Sequence, residues 1–291
     1  MGVLTRKRTF FLLTTPGFLL YLVFVIIPII MTFRYSLTNY TGLVGYTFSG
    51  FRNFILLFQD KIFLMAVKNV GIMLLIIVPV SIPFSFLLAW IINTKFIGNS
   101  AAKTIFFTPY IIAPIAVGLV FMFVFSPSSG LINTLLRILG FEEFQPIWIG
   151  GLHLTPVSAS IVNIWSGVGY YMAIFLAGMK MIPDELYEAC RIDGASKLQE
   201  IFHITIPMLT DSFKIVLIFL ITNTIKIYES IFMLSGGGPS HRSESIISLM
   251  NNIIFVQGRY GYGMTIAIVQ LVASILLSLF LMNLIARDIG K

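Results

Sequence analysis

The sequence predicts an all-α membrane protein of six transmembrane helices, and three observations carry that prediction. Of 291 residues, 57% are hydrophobic and only 11% are charged, against about 45–50% and about 25% in soluble domains. With a mean hydropathy of +0.95, the chain lacks the polar surface that a soluble globule needs. Six apolar stretches are each long enough to cross a hydrocarbon core of about 30 Å at about 1.5 Å per residue. None has the alternation over about ten residues that marks a barrel strand, and in lipid only helices or closed barrels satisfy every backbone group. The whole chain, 1–291, reads as a single transmembrane domain.

The spans run over about 10–33, 69–93, 104–125, 155–179, 213–234 and 263–286, and five of the six hold no Asp, Glu, Lys or Arg. The first follows Arg6, Lys7 and Arg8, as a signal peptide would. Its apolar run of about 24 residues exceeds the usual ~7–15, and no A-x-A pattern follows, so it reads as a retained helix. Pro16, Pro28, Pro79, Pro83, Pro109, Pro114 and Pro156 fall in or at the ends of these stretches. Each removes a backbone donor and bends its helix, which suits helices that line a cavity or move. Proline is also simply commoner in membrane helices.

Orientation follows from the basic residues. With the N-terminus in the cytoplasm, the inner segments hold Arg6, Lys7, Arg8, Lys95, Lys103, Lys180, Arg191, Lys197, Arg287 and Lys291. The longer outer loops hold Arg34, Arg52, Lys61, Lys68, Arg137, Arg242 and Arg259. This excess places both termini, and the segment 180–207, on the cytoplasmic side. The net charge of +7 is spread among loops. It is what a protein facing anionic lipid carries, not a nucleic-acid patch. The single cysteine, Cys190, rules out a disulfide framework within the chain and a cysteine-based metal site.

The segment 180–207 stands apart. Eight of the residues from Lys180 to Glu200 are charged. Pro183 suits a helix start, and Asp184, Glu185 and Glu188 follow where the helix dipole favours negative charge. Leu186, Ala189 and Cys190 form a short apolar stripe, and Gly194 stands where a left-handed residue would end the helix. Ser196 and Gln199 fit a capping box, Leu198, Ile201, Phe202 and Thr205 give a second stripe, and Pro207 precedes the fifth span. The prediction is two short helices about Gly194. A plain interfacial connector is the bland alternative, but about 27 residues far exceed what a connection needs.

These residues carry a resemblance. "EACRIDGASKLQEIFHITIP" resembles the EAA loop of ABC-importer permeases, with Glu188, Ala189, Gly194, Ile206 and Pro207 matching and Cys190 replacing the second alanine. Asp193, Ala195 and Phe202 match the fuller form seen in carbohydrate importers. "PGFLLYLVFVIIPIIMTFRYSLTNY" resembles the first span of maltose- and glycerol-phosphate-type permeases, and "FRNFILLFQD" resembles the outer loop that follows it. "FSPSSGLINTLL" and "LSGGGPSHRSESIISLMNNIIF" are similar to the second and third outer loops. The likeness covers almost the whole chain.

The resemblance implies half of a translocation pathway, paired with a second homologous permease in a bacterial or archaeal cell membrane. An extracytoplasmic solute-binding protein would deliver a carbohydrate, foremost an oligosaccharide. Two cytosolic ATPase subunits would carry the ATP and magnesium, leaving this chain without a cofactor. Glu188 and Asp193 would offer charge to the ATPase beside Arg191, Ala189 and Cys190 would keep the helix narrow enough for a groove, and Gly194 would reverse the chain.

The chain itself has no G-x-x-x-x-G-K-[ST]. "GGGPSHRS" has the glycines but no Lys-Ser or Lys-Thr, and reads as a turn. His153, His203 and His241 lie in separate loops without metal spacing, and no nucleophile–base pair stands out. No active site and no metal site are expected. An ion-coupled carrier would need charges within its spans, and only the fifth has them: Lys214 near one end, and Lys226 and Glu229 three apart on one expected helical face. A membrane-embedded enzyme would need clustered histidines and carboxylates. For a sugar, aromatic faces and amides serve: Asn163, Trp165, Tyr170, Tyr171, Asn223 and Gln270 are the candidates. The same aromatics equally suit packing or an interfacial belt.

Overall fold

The computed structural model describes residues 7–43, 45–94, 98–151 and 154–286, with side chains from Phe11 to Met282. Arg6, Lys95, His153, Arg287 and Lys291, and the side chains of Lys7 and Arg8, lie outside the described residues.

In chain order, α1 (Lys7–Tyr21) runs through a π-helical turn (Leu22–Ile26) into α2 (Ile27–Ser36). After α3 (Arg52–Gln59) come α4 (Lys61–Asn93), α5 (Asn99–Ile111), α6 (Pro114–Val124), α7 (Leu131–Ile138) and α8 (Thr155–Met179). Then follow α9 (Asp184–Ile192), α10 (Lys197–Glu200), a second π-helical turn (Ile201–Thr205), α11 (Ile206–Met208) and α12 (Thr210–Ile225). The chain continues with α13 (Glu229–Ser235), α14 (Ile246–Asn251), a third π-helical turn (Asn252–Val256) and α15 (Tyr260–Ala286). Among the described residues there is no strand, only an isolated antiparallel bridge between Thr38 and Phe48.

Four helical runs are long and apolar enough to cross a membrane: Phe11–Ser36, Lys61–Asn93, Thr155–Met179 and Tyr260–Met282. Two bent pairs raise the number to as many as six. The fourth span coincides with its expected bounds, 155–179.

The third and fifth spans depart from the expected single helices. The third breaks between α5 and α6 at an angle of 95°. Proline disfavours the helical region for the residue before it. Accordingly Ala113, ahead of Pro114, is extended at ψ 128°, and Ile112 at ψ 136°. The fifth stops at Ile225, and helix resumes only at Glu229. The expectation that Lys226 and Glu229 share a helical face is therefore corrected: they flank a break. No ion pair joins them among the described residues. The freed carbonyl of Ile227 accepts a bond from Ser245 Oγ at 2.6 Å, a partner that local sequence does not reveal.

Two π-helical turns end two residues before a proline, at Pro28 and Pro207. The proline ring crowds the carbonyl four residues back, and the widened turn accommodates it. Pro79 and Pro83 lie inside α4 without ending it.

The chain divides into two compact units, residues 1–63 with 250–273, and residues 64–249 with 274–291. In the first, Asn53 Nδ2 donates to the carbonyls of Ser36 and Thr38, closing the end of α2, and Thr265 Oγ1 donates to Ser36 O. Tyr35, Tyr40, Tyr46 and Tyr260 gather around it, with Tyr35 and Tyr40 stacked at 4.9 Å. In the second, α8 is the hub against which α5, α12 and α13 pack. Its core holds Phe175, Met172, Leu220 and Ile231, all essentially inaccessible. Glycines allow the closest approaches. A Cβ on Gly169 would fall on the Phe106 carbonyl of α5, and one on Gly178 would meet Ser212 of α12.

Candidate functional site

Two cavities, both within the second unit, gather most of the singled-out residues. The first lies at the α9–α10 turn. Pro183 is extended at φ −60°, ψ 135° and begins α9, with Asp184 and Glu185 in the first turn. Gly194 has φ +80°, the left-handed conformation that glycine takes without a Cβ penalty. Ala195 N–H donates to Cys190 O at 3.0 Å and Gly194 N–H to Arg191 O at 3.1 Å, which together form a Schellman closure. Ser196 then begins α10 with a complete capping box. Its N–H donates to Gln199 Oε1 at 2.7 Å, and its Oγ accepts from Gln199 N–H at 3.4 Å. Both punctuation marks stand where the sequence placed them.

Two side-chain bonds tie the arms of this turn. Arg191 Nε donates to Glu200 Oε1 at 2.8 Å, and Tyr187 OH lies 3.1 Å from Thr205 Oγ1. The hydrogen bond to Glu200, with the attraction of its charge, pushes the Arg191 pKa further up, so this guanidinium is a permanent cation. Between the arms and the end of α4 lies a cavity of about 480 Å³, lined by Glu188, Arg191, Lys197, Glu200, Trp90 and Asn93, among others. Glu188, Ala189 and Asp193 are exposed, and Cys190 is a half-buried free thiol. Of the expected apolar stripes, Thr205 turns inward, whereas Leu198 and Phe202 stay exposed at 68% and 63% beside Ile192 at 85%.

Removing the cap isolates one part of this build. Ser196→Ala is expected to loosen the start of α10 by about 1 kcal/mol. Hydrogen exchange at the Lys197–Gln199 amides should quicken about fivefold, while α8 amides keep their rates. Unchanged exchange at Lys197–Gln199 would show that the capping box does not hold this turn.

The second cavity, of about 320 Å³, lies where both broken spans face α8. Asn163, Tyr171, Asn223, Lys226 and Glu229 all line it. Asn163 Nδ2 donates to Ala159 O at 2.7 Å and to Ser230 Oγ at 2.9 Å, which orients the amide. Asn223 Nδ2 reaches Tyr171 OH only at 3.4 Å, a loose bond that a ligand hydroxyl can displace. Tyr170 does not line the cavity but stacks on Tyr110, which does, with centroids 4.5 Å apart. Trp165 is set apart, 44% exposed and edge-on to Phe121. Gln270 is a buried residue of the first unit and lies outside this cavity.

Sequence reasoning missed Tyr110, Ser166 and Ser230, which also line this space together with Pro109 and Pro114. The two prolines in one predicted span were the available signal for a break, since a break frees backbone only where it faces protein or a water-filled cavity. Lys214, near the start of α12, lies 3.7 Å from Asp211. Among the described residues, no three His, Cys, Asp or Glu side chains gather as metal ligands.

Residues 81–291 match the family model described as binding-protein-dependent transport system inner membrane component. The probable ABC transporter permease protein YurN of Bacillus subtilis is 31% identical over 268 residues, covering 91% of this chain and 92% of that protein. The diacetylchitobiose uptake system permease protein NgcF of Streptomyces coelicolor is 31% identical over 298 residues, covering 96% and 84%. Among solved structures, a bacterial alginate ABC transporter in complex with an alginate pentasaccharide-bound periplasmic protein shares the fold at a TM-score of 0.83 and 24% identity, covering 99% of this chain and 97% of that chain. The helical, multi-pass membrane chain thus belongs to the binding-protein-dependent inner membrane components, the permease subunits of ABC importers, and is a transport component, not an enzyme.

Proposed function

We propose that the chain forms half of the pathway by which an ATP-driven importer carries a carbohydrate, specifically an oligosaccharide, across a bacterial or archaeal cell membrane. The observation that carries this reading is the 320 Å³ cavity, in which two amides, two phenols and one charge of each sign converge within an apolar helix bundle. Such groups match a chain of sugar hydroxyls, which both donate and accept. The similarity to a diacetylchitobiose permease and to an alginate transporter points the same way.

The whole chain acts as one transmembrane domain, with both termini and residues 180–207 in the cytoplasm. A solute-binding protein delivers the sugar from outside. A second homologous permease completes the pathway and, with lipid, covers exposed apolar side chains such as Phe18, Leu20 and Phe24. Two ATPase subunits, holding the ATP and magnesium, grip the α9–α10 turn through Glu188, Ala189, Cys190, Arg191, Asp193 and Gly194. The exposure of Ile192, Leu198 and Phe202 in this charged segment supports this, because exposed apolar groups amid charge suit a protein contact. Closure of the ATPases would then move the turn as a body and switch the pathway.

Uptake by the reconstituted complex, assayed with a panel of oligosaccharides, tests the reading. Asn223→Ala is expected to raise KM about three- to tenfold with kcat nearly unchanged, the signature of lost uniform binding. Failure of every saccharide to be taken up, or an unchanged KM, would count against the cavity as a sugar path.

A further inference from the structure

The loop after α13 encloses a carboxylate that neither cavity uses. Glu244 is 1% exposed. Its Oε2 accepts from Ser248 Oγ, and its Oε1 lies 3.0 Å from His241 Nδ1. Gly237, at φ +85°, leaves room for it, since any Cβ there would fall on the carboxylate. Ser240 and His241 adopt φ values of 51° and 60°, a left-handed conformation uncommon outside glycine. Backbone held this way over two residues needs a compensating contact, and the His241–Glu244 contact supplies one. A carboxylate so deeply buried is costly unless its oxygens are met, so the loop is built around this group.

The bonds radiating from the same turn lead to the 320 Å³ cavity. Asn69 Nδ2, on α4, donates to the carbonyls of Arg242 and Glu244 at 2.8 and 2.9 Å. Ser243 Oγ donates to Gly238 O at 2.6 Å and lies 2.8 Å from Ser235 Oγ, which fastens the turn to the end of α13. Ser245, wholly buried, donates to the carbonyl of Ile227. Ile227 sits within the break in the fifth span, between Lys226 and Glu229, and all three line the cavity. Without that donor the Ile227 carbonyl would be unpaired, and the turn would be free to re-form as helix and rotate both charges.

We propose that Glu244 is a positioning residue of the transport pathway. Through the Ser243–Glu244–Ser245 turn it holds the fifth span open at Ile227 and so sets where Lys226 and Glu229 stand in the cavity. Its importance for transport rests on the reading of that cavity as the sugar path. The geometric claim does not.

Thiol labelling of the purified assembled complex separates the two. In a Lys226→Cys background, N-ethylmaleimide modification is followed by peptide mass spectrometry, with the native Cys190 as an internal reference. Adding Ser245→Ala or Glu244→Gln is expected to change the labelling rate of the introduced thiol about fivefold, the shift that one buried hydrogen bond commands. Cys190, on α9, should keep its rate. An unchanged rate at the introduced thiol in the Ser245→Ala variant overturns the route through Ile227, and an unchanged rate in the Glu244→Gln variant overturns the proposal. So does a parallel rise at both thiols, which would mean general loosening and a merely structural role. If the introduced thiol responds but Ser245→Ala alone leaves KM and kcat for saccharide uptake unchanged, the positioning stands and the cavity's role as the sugar path falls.

Discussion

Gly194→Val is expected to cut substrate uptake about tenfold or more while the spans remain inserted and the ATPase subunits keep hydrolysing ATP. Gly194 has φ +80°, and a Cβ added there would meet nothing within 4 Å, so crowding plays no part and the effect is one of backbone. An L-residue in the left-handed region costs about 1–2 kcal/mol, and a β-branched one is least able to adopt it. Relief requires the chain to leave that conformation. The two N–H bonds onto Cys190 and Arg191 would then be lost, and α10 would leave α9 at a different angle. Gly194→Asn, which tolerates the left-handed region, should retain most uptake. Parallel assays of uptake and ATP hydrolysis in proteoliposomes decide the matter. Normal uptake by the valine variant would mean that this turn does not couple the two.

Gly169→Ala should have the largest effect on stability. Its Cβ would fall on the Phe106 carbonyl and stand 2.9 Å from Phe107 Cα, and backbone cannot step aside as a side chain can. Overpacking of this kind costs about 1–3 kcal/mol or more, and here it drives α5 from α8. Gly71→Ala is the matched control. It too lies in a membrane helix, but nothing is within 4 Å of its added methyl, so replacing a helix-interior glycine should be neutral or stabilising by about 0.5–1 kcal/mol. Thermal unfolding of the detergent-solubilised complex should place Gly169→Ala well below the parent and Gly71→Ala at or above it. Equal melting of the two variants would show that the close approach of α5 and α8 carries no weight.

What could be read in the sequence was what local rules govern. The α8 bounds, the left-handed Gly194 and the Ser196–Gln199 box each depend on residues a few positions apart, and all three appear as expected. The breaks were harder. Pro114 biases its predecessor away from the helix, which the sequence signals, but the 95° turn also depends on what surrounds it. The break at Lys226–Tyr228 has no proline and no glycine. Its freed Ile227 carbonyl is met by Ser245, 18 residues along, so a helix periodicity running through it was the reasonable reading and the wrong one. The candidate cavity was legible by residue type in Asn163, Tyr171 and Asn223, because amides and phenols are rare in an apolar span. Trp165 and Gln270 were chosen on the same ground and lie elsewhere. Residue type says that a side chain has a task, and packing decides where it is done. Glu244 escaped notice for the opposite reason: in a polar loop one more carboxylate looks ordinary, and only its burial sets it apart.

The two bonds across the α9–α10 turn, Arg191 to Glu200 and Tyr187 to Thr205, bear on how force travels. Two short helices joined by a bare glycine hinge would act as springs in series, and a pull on the first would be spent in flexing the joint. Cross-braced, they form a truss. On the proposed coupling, a displacement applied to α9 would reach Leu209, where the chain bends by 68° into α12, with little lost as slack. Exposed ion pairs contribute little to folding stability, but stiffness is a different quantity from stability, and it is the one that the proposed coupling would draw on.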